Sequence, residues 1–411
     1  MARLSQVAIV GAGPAGAALA YLLARRNIDV TLLERQTDFA REFRGEALQP
    51  SGVDAFAQMG LGPQLAALPQ TRLSAVEFYR GATRLGRFEF ASGFGDFGPH
   101  VVSQPAMLEM LVGEASHYSN FKLRRGVTVR DLVLDTGRVT GVVADSTSGP
   151  IEIRADLVIG ADGRASVIRK RAGLHEERSP QAFDVVWGKV PLPDFMSDRT
   201  TARAYVGGSS GNSHLMLCFP SYDDRLQFAW MIEKGSFGEL RQRGIEQWIE
   251  EMAAHVSSDL AAHLRANRDD VTHPFLLDVV CDRLTKWSAP GLLLLGDASH
   301  PMSPVGGQGI NIALRDALVA ANHLCSPLAS GASAAELDAA TARIEAERTP
   351  EVRAVQRMQQ FGPRLLFSNT FRRIILSPPV LWLLRRAPIS KMVGRTVRPF
   401  AHGVTLVRLA E

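Results

Sequence analysis

The chain has 411 residues, of which 46% are hydrophobic and 21% charged, and its formal net charge is +4. This length and composition are typical of a globular protein with a large core, and the small net charge argues against a nucleic-acid partner. Three cysteines without CxxC spacing exclude a disulfide framework and a zinc site, no His/Asp/Glu cluster has metal-ligand spacing, and no apolar run approaches the ~20 residues that span a bilayer. No signal peptide is visible either, so we expect a cytoplasmic protein. Because no metal-ligand spacing is present, we also expect that the protein binds no metal.

The N-terminal region predicts a strand, a glycine turn, a helix and a second strand. The apolar run 7–10 is typical of a buried parallel strand, a helix follows to about residue 26, and a second strand covers 30–33. Between them lies a GxGxxG motif, and Glu34 closes the second strand. This order indicates a βαβ unit that begins almost at the first residue.

The GxGxxG motif predicts a dinucleotide site. Gly11 permits a tight turn, Gly13 lets the backbone approach a pyrophosphate, and Gly16 lets the helix pack closely on the strand. The helix N-terminus offers N–H groups to a phosphate, and a carboxylate such as Glu34 can accept hydrogen bonds from ribose hydroxyls. The motif alone does not separate NAD from FAD. The neighbouring residues that we include in this site are Pro14, Ala15 and Arg35.

Hydrophobic patterns along the rest of the chain predict alternating units. We expect helices at 50–59 and 105–118, β-rich segments over 122–153, a buried strand at 157–159, antiparallel strands at 202–206, 214–219 and 226–232, one helix over 237–253, a strand at 292–295, a helix from about 308 and a long helix near 335–360. Without linkers or repeats, the units should be interleaved. We expect a discontinuous nucleotide domain (1–74, 98–180 and 281–330), a substrate-side sheet (75–97 and 181–280) and a C-terminal helical region (331–411).

Two further motifs follow predicted buried strands. Asp162 and Gly163 open the segment that runs to Arg169, and Gly296 and Asp297 open a glycine-rich segment that leads into a helix. A carboxylate at a strand end can bind the hydroxyls of a polyol, and the N-terminus of a helix can stabilise a delocalised negative charge. The residues of the second segment that we select are Pro304, Gly306, Gly307, Gln308, Gly309, Ile310 and Asn311.

The three motifs, in this order and spacing, resemble those of the group A FAD-dependent aromatic monooxygenases, the para-hydroxybenzoate hydroxylase-like family. The resemblance spans about residues 5–325. It implies an α/β fold in which a Rossmann-like FAD-binding domain is interleaved with a mixed or antiparallel substrate sheet, followed by C-terminal helices. It also implies an enzyme that uses FAD, NAD(P)H and O2 to hydroxylate an aromatic, quinone or polycyclic substrate through a flavin C4a-hydroperoxide.

Carried over to this sequence, the resemblance implies individual cofactor contacts. Glu34 should bind the adenosine ribose, and Arg44, in Phe43-Arg44-Gly45-Glu46, should reach the pyrophosphate. Gln104 matches a position that contacts the ribityl chain, and Asp162 belongs to a motif linked with both pyrophosphate and NAD(P)H. Asp297 should hold the ribityl hydroxyls. Pro304 and the glycine-rich segment after it should lie against the isoalloxazine.

The sequence identifies the residues that contact the substrate less clearly than those that contact the cofactor. A phenolic substrate would benefit from a base or a hydrogen-bond relay, and our candidates are Arg203, Tyr205, His214 and Tyr222. For each of them, an ordinary packed or solvent-facing role is the favoured alternative. His300, beside the third motif, is interpreted as structural more readily than as catalytic.

Three alternative functions stay open. A prenyl-chain or ene reductase of the same superfamily would need no oxygen, and a flavin-dependent halogenase would carry a Trp-x-Trp-x-Ile-Pro motif. The nearest string, 187–191, lacks the second Trp and the Ile. A non-catalytic FAD redox sensor is supported only by the basic tail 361–411, which either contacts a membrane surface weakly or forms a helical cap.

Overall fold

The computed structural model describes residues 5–40, 46–91, 98–209, 212–367, 377, 379–380 and 398–410. Among these residues, short strands and helices alternate in the pattern of a mixed α/β protein. The strands are β1 Ser5–Val10, β2 Val30–Glu34, β3 Ala47–Leu48, β4 Gln70–Arg72, β5 Ala75–Arg80, β6 Thr83–Glu89, β7 His100–Val102, β8 Phe121–Arg125, β9 Thr128–Asp135, β10 Arg138–Ser146, β11 Gly149–Gly160, β12 Glu176–Glu177, β13 Phe183–Pro191, β14 Thr201–Ser209, β15 Asn212–Pro220, β16 Arg225–Glu233, β17 Thr272–Leu277, β18 Arg283–Leu284, β19 Ser288–Ala289 and β20 Leu292–Leu294.

The helices surround two larger sheets. They are α1 Pro14–Arg25, α2 Pro50–Gln58, α3 Gly62–Ala66, α4 Gln104–Ser116, α5 Val167–Arg171, α6 Phe237–Arg243, α7 Ile245–Ala253, α8 Ser258–Ala266, α9 Gly309–Ala329 and α10 Ala334–Phe367. None of these helices combines the length and the apolar character that crossing a membrane requires.

The first sheet has the strand order β19-β20-β11-β1-β2-β8, and β10 and β9 extend it from β11. The pairs β20–β11, β11–β1, β1–β2 and β2–β8 are parallel. Their apolar side chains pack with α1 and α9 into the main core, where every residue of α1 from position 15 to 24 is buried. The helix ends as predicted, because Asn27 takes the left-handed conformation at φ 59°.

The second sheet has the order β17-β13-β16-β15-β14-β5-β6. Strands from both predicted pieces of the substrate-side sheet therefore pair in one sheet, mostly antiparallel, with β14–β5 parallel. Because side chains alternate along a strand, the sheet has two faces. One face packs on α6, α7 and α8, and the other packs on the loop that contains Val305. We call the second one the loop-side face.

The single helix predicted over 237–253 is wrong. Gly244 lies between α6 and α7 with φ 84° and ψ 167°, a conformation that only glycine adopts readily, and so the segment forms two helices. A third helix, α8, follows. All three cover one face of the second sheet.

The C-terminal segment 398–410 returns to the body of the protein. Residues 398–402 are helical, and Val407 is buried in the main core. Backbone groups beyond them bond to side chains of α2 and α9, since Leu409 N donates to Gln58 at 2.7 Å and Ala410 N donates to Asn322 at 2.7 Å. The end of the chain is therefore part of the folded body. Most of the basic tail between these parts, and its predicted membrane contact, lies outside the described residues.

Candidate active site

Four strands of the first sheet end at the same edge. The parallel strands β1, β2, β11 and β20 run in one direction, so their carboxyl ends are neighbours. Glu34 is the last residue of β2, and Gly11, Ala161 and Leu295 directly follow the other three strands. In open parallel sheets, nucleotides bind at this edge. The three motifs, which are separated by more than a hundred residues in the sequence, thus meet at one site.

The glycines of the first motif fit a dinucleotide. A Cβ on Gly11 would lie 2.4 Å from Ala161 O, and one on Gly16 would lie 2.0 Å from Gly11 O, so both positions exclude any other residue. At Gly13 a Cβ would meet no atom within 4 Å, because the residue faces open space. No side chain caps α1, whose first turn contains Pro14. Its N–H groups face the space that a pyrophosphate would fill.

Glu34 is buried next to this turn. Its carboxylate accepts hydrogen bonds from Ala12 N at 2.9 Å and from Gln36 N at 3.0 Å. These bonds orient the carboxylate, which has further lone pairs for ribose hydroxyls. Arg35, the next residue, is exposed. The proposed ribose contact by Glu34 is compatible with this geometry.

The second and third motifs are joined by an ion pair. Arg164 Nε lies 3.0 Å from Asp297 Oδ2, and its Nη2 donates to Met302 O at 3.1 Å. Both side chains of the pair are partly exposed, so Asp297 can still receive a ligand. Gly296 sits against Ala15 of α1, since a Cβ at Gly296 would lie 3.3 Å from the Ala15 Cβ. Asp297 is therefore close to the start of α1.

Asp162 and Arg169 are held by contacts within the protein. Asp162 accepts hydrogen bonds from Val167 N at 2.7 Å and Ile168 N at 3.1 Å, and so caps α5. Arg169 is buried, donates to Ala298 O at 2.9 Å and pairs with Glu176 at 3.2 Å. We interpret Arg169 as tying the second motif to the third. The cofactor contacts that the resemblance implies for both residues stay predictions.

The segment from Pro304 to Asn311 is anchored from three sides. Gly307 N donates to Pro304 O at 3.0 Å, which closes a turn. Asn311 is fully buried, accepts from Gln49 N at 2.9 Å and donates to Gly307 O at 2.6 Å. The segment thus has a fixed shape before any cofactor binds. Gly309 and Ile310 begin α9, whose N-terminus has no side-chain cap.

Several buried polar atoms beside this segment have no partner among the described residues. They are Gln49 Oε1, Ser51 Oγ and Gln308 Oε1. A buried polar atom without a partner costs about 1–3 kcal/mol, so such atoms usually meet a ligand or water. An isoalloxazine carries donors and acceptors along one edge. The residues present therefore fit the FAD that the motifs predict.

Two predicted cofactor contacts remain open for different reasons. Arg44 lies outside the described residues. Gln104 is the first residue of α4 and is half-buried, directly after the cap Ser103, whose hydroxyl accepts from Ala106 N at 3.4 Å.

The structure does not bring Arg203 and Tyr205 to the site. Both belong to β14 and project to the face covered by α6, α7 and α8, where Arg203 pairs with Asp259 at 2.9 Å and the Tyr205 hydroxyl bonds Ser257 at 2.8 Å. Because residues two apart share a face, neither reaches the loop-side face. The structure therefore places both side chains away from the candidate site. His214 lies on β15 opposite Gly207, and its side chain is outside the described part of the structure.

Tyr222, in contrast, lies beside the site. It is in the turn between β15 and β16, and Lys189 Nζ lies 4.5 Å above its ring. Burial, together with the nearby Glu46 carboxyl, raises the pKa of Tyr222 to about 12, so its hydroxyl keeps its proton at neutral pH. Tyr222 can act there as a hydrogen-bond donor.

Sequence reasoning missed three polar residues near Tyr222, namely Glu46, Lys189 and Gln227. Glu46 precedes β3 and is 4% exposed, and Gln227 of β16 is fully buried. Lys189 Nζ lies 3.5 Å from Glu46 Oε2. A signal existed for two of them, since Lys189 and Gln227 are polar positions within strongly apolar strands. The His300 interpretation is supported: His300 Nε2 lies 2.8 Å from Asp316, deep in the core.

No group of three or more His, Cys, Asp or Glu side chains in the described ranges is arranged to hold a metal ion. The free thiols Cys218 and Cys281 are buried, and Cys325 is half-buried.

Comparisons with known proteins agree with this geometry. Residues 5–358 match the family model described as FAD binding domain. The chain is 32% identical to 6-methylpretetramide 4-monooxygenase of Streptomyces rimosus, over 98% of this chain and 94% of that one, and 28% identical to kynurenine 3-monooxygenase of Stenotrophomonas maltophilia, over 86% and 77%. The crystal structure of p-nitrophenol 4-monooxygenase from Pseudomonas putida has the same fold, with a TM-score of 0.79 at 17% identity over 99% of this chain and 100% of that one. The chain belongs to the FAD-binding-domain family and is an FAD-dependent monooxygenase of the group A aromatic hydroxylases.

Proposed function

We propose that this monooxygenase hydroxylates a fused-ring phenolic compound of the aromatic polyketide type. The observation that carries the proposal is the loop-side face of the second sheet. Apolar side chains of β13, β14, β15 and β16 cover this face, and Val305 of the third motif packs against it. The 32% identical relative is named for a reaction on 6-methylpretetramide, which supports the same substrate class.

The loop-side face is wide and open at its centre. Four adjacent strands about 4.8 Å apart span about 14 Å, which is more than a single aromatic ring covers. The rings of Trp187 and Phe219 pack edge to face with their centroids 6.4 Å apart, a geometry that aromatic rings favour. Leu215 and Leu217, on the central strand β15, stay half-buried although their neighbours on this face are buried. A flat ligand could cover them.

Different residues of the chain would bind the cofactor, orient its ring system and hold the substrate. Bound FAD supplies the oxygen activation, with electrons from NAD(P)H. The N-terminus of α1 and the carboxylates of Glu34 and Asp297 would bind its pyrophosphate, ribose and ribityl groups. The segment from Pro304 to Asn311 would orient the ring system, and the N-terminus of α9 would stabilise negative charge on it. The apolar face would hold the substrate and exclude water.

Ligand-stimulated NAD(P)H oxidation tests the substrate class. We expect fused three- and four-ring phenols to accelerate NADPH or NADH oxidation and to gain one oxygen atom, measured by mass spectrometry, with a higher kcat/KM than monocyclic phenols. A monocyclic phenol that is hydroxylated with the higher kcat/KM would overturn the proposal.

A substitution on the central strand β15 tests whether the substrate lies on the loop-side face. Leu217→Trp should fill the centre of the loop-side face and lower kcat/KM for the fused-ring phenol by about tenfold, since the ligand can no longer lie flat. Leu134→Trp is the matched control because Leu134 is 61% exposed on β9. Equal kinetics of the two variants would show that the substrate does not lie on Leu217.

A further inference from the structure

One end of the loop-side face is polar, and it begins with Gln227. This side chain is fully buried on β16, yet neither its Nε2 nor its Oε1 has a hydrogen-bond partner among the described residues. It shares a face with Ala229 and Met231 of the same strand, which belong to the apolar loop-side cluster. A buried amide without partners destabilises a fold unless a ligand or water satisfies it, so Gln227 is a candidate ligand contact.

Lys189 and Phe219 are the direct neighbours of Gln227 across the sheet. Lys189 of β13 and Phe219 of β15 pair with Gln227 in register, and directly opposed side chains lie close to one another. The ammonium of Lys189 reaches 3.5 Å from Glu46 Oε2 and 2.9 Å from Asp223. Gln227 and Glu46 therefore both lie against Lys189.

Glu46 lies between this polar end and the segment from Pro304 to Asn311, which we call the flavin segment. Its own carbonyl accepts a hydrogen bond from Val102 N at 2.8 Å. The next residue, Ala47, has its Cβ 3.2 Å from the position of a Cβ on Gly307 and accepts from Asn311 Nδ2 at 3.3 Å. Glu46 Oε2 accepts no hydrogen bond from the described residues, although Lys189 Nζ lies 3.5 Å away.

The charges around Glu46 set its protonation. Burial raises the pKa of Glu46 to about 8, which Lys189 counteracts only in part and Asp223 reinforces. The Tyr222 hydroxyl lies near both Glu46 and Ser103. A carboxyl of this kind exchanges its proton near neutral pH, where an ordinary Glu is fully ionised.

We propose that Gln227 and Glu46 recognise a hydroxyl group of the substrate. The Gln227 amide donates to the hydroxyl oxygen and the Glu46 carboxylate accepts the hydroxyl proton, while Lys189 and Tyr222 are positioning residues for Glu46. If the proton is transferred, the substrate O–H bond breaks, an O–H bond forms on Glu46, and that proton later leaves to water near Asp223, whose side chain is one-third exposed. The inference rests on the proposed function, since it places the hydroxyl of a fused-ring phenol at this end of the face.

Binding of 2-naphthol and naphthalene to the FAD-loaded enzyme tests the role of Gln227. The two probes share a fused ring and differ in one hydroxyl group. Gln227→Leu should bind 2-naphthol about five- to tenfold more weakly and naphthalene unchanged, because a net hydrogen bond of this size is lost. The variant should unfold at the same or a higher temperature than the wild type, since it removes the amide without partners. Gln247→Leu, at an exposed position of α7, is the control.

The pH dependence of the same binding tests Glu46. The hydroxyl of 2-naphthol is still mostly protonated at pH 8, so wild-type affinity should rise as the pH passes through about 8 and Glu46 becomes an acceptor. Glu46→Gln should bind with no such rise, and Lys189→Met should move the rise to higher pH because it removes the opposing positive charge.

The results separate this inference from the proposed function. Tight binding of naphthalene and 2-naphthol that is independent of pH and of Gln227 would overturn the inference and leave the fused-ring substrate standing. A Gln227→Leu variant that loses both probes equally and unfolds at a lower temperature would show a packing role instead. Failure of the wild type to bind either probe would overturn the inference, whereas the proposed function is decided separately by the oxidation of three- and four-ring phenols.

Discussion

At the scale of single residues, the pair of Arg164 and Asp297 gives the sharpest test of the cofactor site. Both side chains are partly exposed, so the ion pair adds little to stability. We therefore expect Asp297→Ala to fold normally but to bind FAD at least about tenfold more weakly, because ribityl hydroxyls lose their acceptor. Quenching of FAD fluorescence measures the dissociation constant. The control is Asp145→Ala, which breaks an exposed ion pair with Arg130 and should leave the dissociation constant unchanged. An Asp297→Ala protein that retains full FAD affinity would show that Asp297 does not contact the cofactor.

The same scale shows which residues the sequence can identify. Glycines such as Gly11 are identified because their role is local, a turn and a close approach. Arg203 and Tyr205 were misplaced because the sequence does not tell which face of β14 points to the flavin segment. Glu46 and Gln227 were missed because what marks them, burial without a partner, arises only when β3, β13 and β16 meet in the fold.

At the scale of elements, α9 and α10 are joined by a buried ionic network. Arg348 of α10 donates to Asp316 of α9 at 2.8 Å and also contacts Glu351, which pairs with Arg315 at 2.9 Å. Without Arg348, the buried Asp316 would keep only its contact to His300, and the buried Glu351 would keep only its pair with Arg315. Arg348→Met should thus lower the free energy of unfolding by about 3–5 kcal/mol, whereas Arg343→Met, exposed on the same helix, should change it little. Urea unfolding distinguishes the two, and an equal stability of both variants would mean that the network is dispensable.

This network also predicts how stability depends on pH. Burial alone would raise the pKa of Asp316 and of Glu351, but the neighbouring cations outweigh it and hold both pKa values below their ordinary range. A depressed carboxyl pKa stabilises the fold above the ordinary value, about pH 4, and that contribution is lost as the pH falls through the folded-state value. The free energy of unfolding should fall steeply below about pH 4 in the wild type and less steeply in Arg348→Met. Parallel curves for the two proteins between pH 3 and 7 would contradict this origin.

Elements were predicted from the sequence with uneven success, for a physical reason. Strands such as β1 and β14 and helices such as α1 have apolar spacing that is visible locally, and both predicted pieces of the second sheet do pair. The break at Gly244 was missed because the apolar pattern continues across it. The connection between His300 and α9 was likewise invisible, since it depends on how the helix packs beneath the third motif.

At the scale of the whole molecule, the C-terminal segment 398–410 reaches back to the flavin segment. The ring of Phe400 lies on Gly306, where a Cβ would be 2.7 Å from Phe400 Cδ1, and Gln308 Nε2 donates to Phe400 O at 2.5 Å. Farther on, Val404 N donates to Glu351 at 2.8 Å, which ties the same segment to the buried network. The last residues of the chain therefore support the cofactor site from behind, across more than 90 positions of sequence.

This support predicts that the chain end contributes to FAD affinity. Phe400→Ala should weaken FAD binding by about tenfold, because the segment around Gly306 loses the ring that fixes its shape before the cofactor arrives. Leu406→Ala is the control on the same segment, since Leu406 is 80% exposed. The two dissociation constants come from FAD titration of the apoproteins, with thermal unfolding of each to check that both fold. If Phe400→Ala binds FAD as tightly as Leu406→Ala, the flavin segment keeps its shape without Phe400, and the segment 398–410 has a role in stability alone.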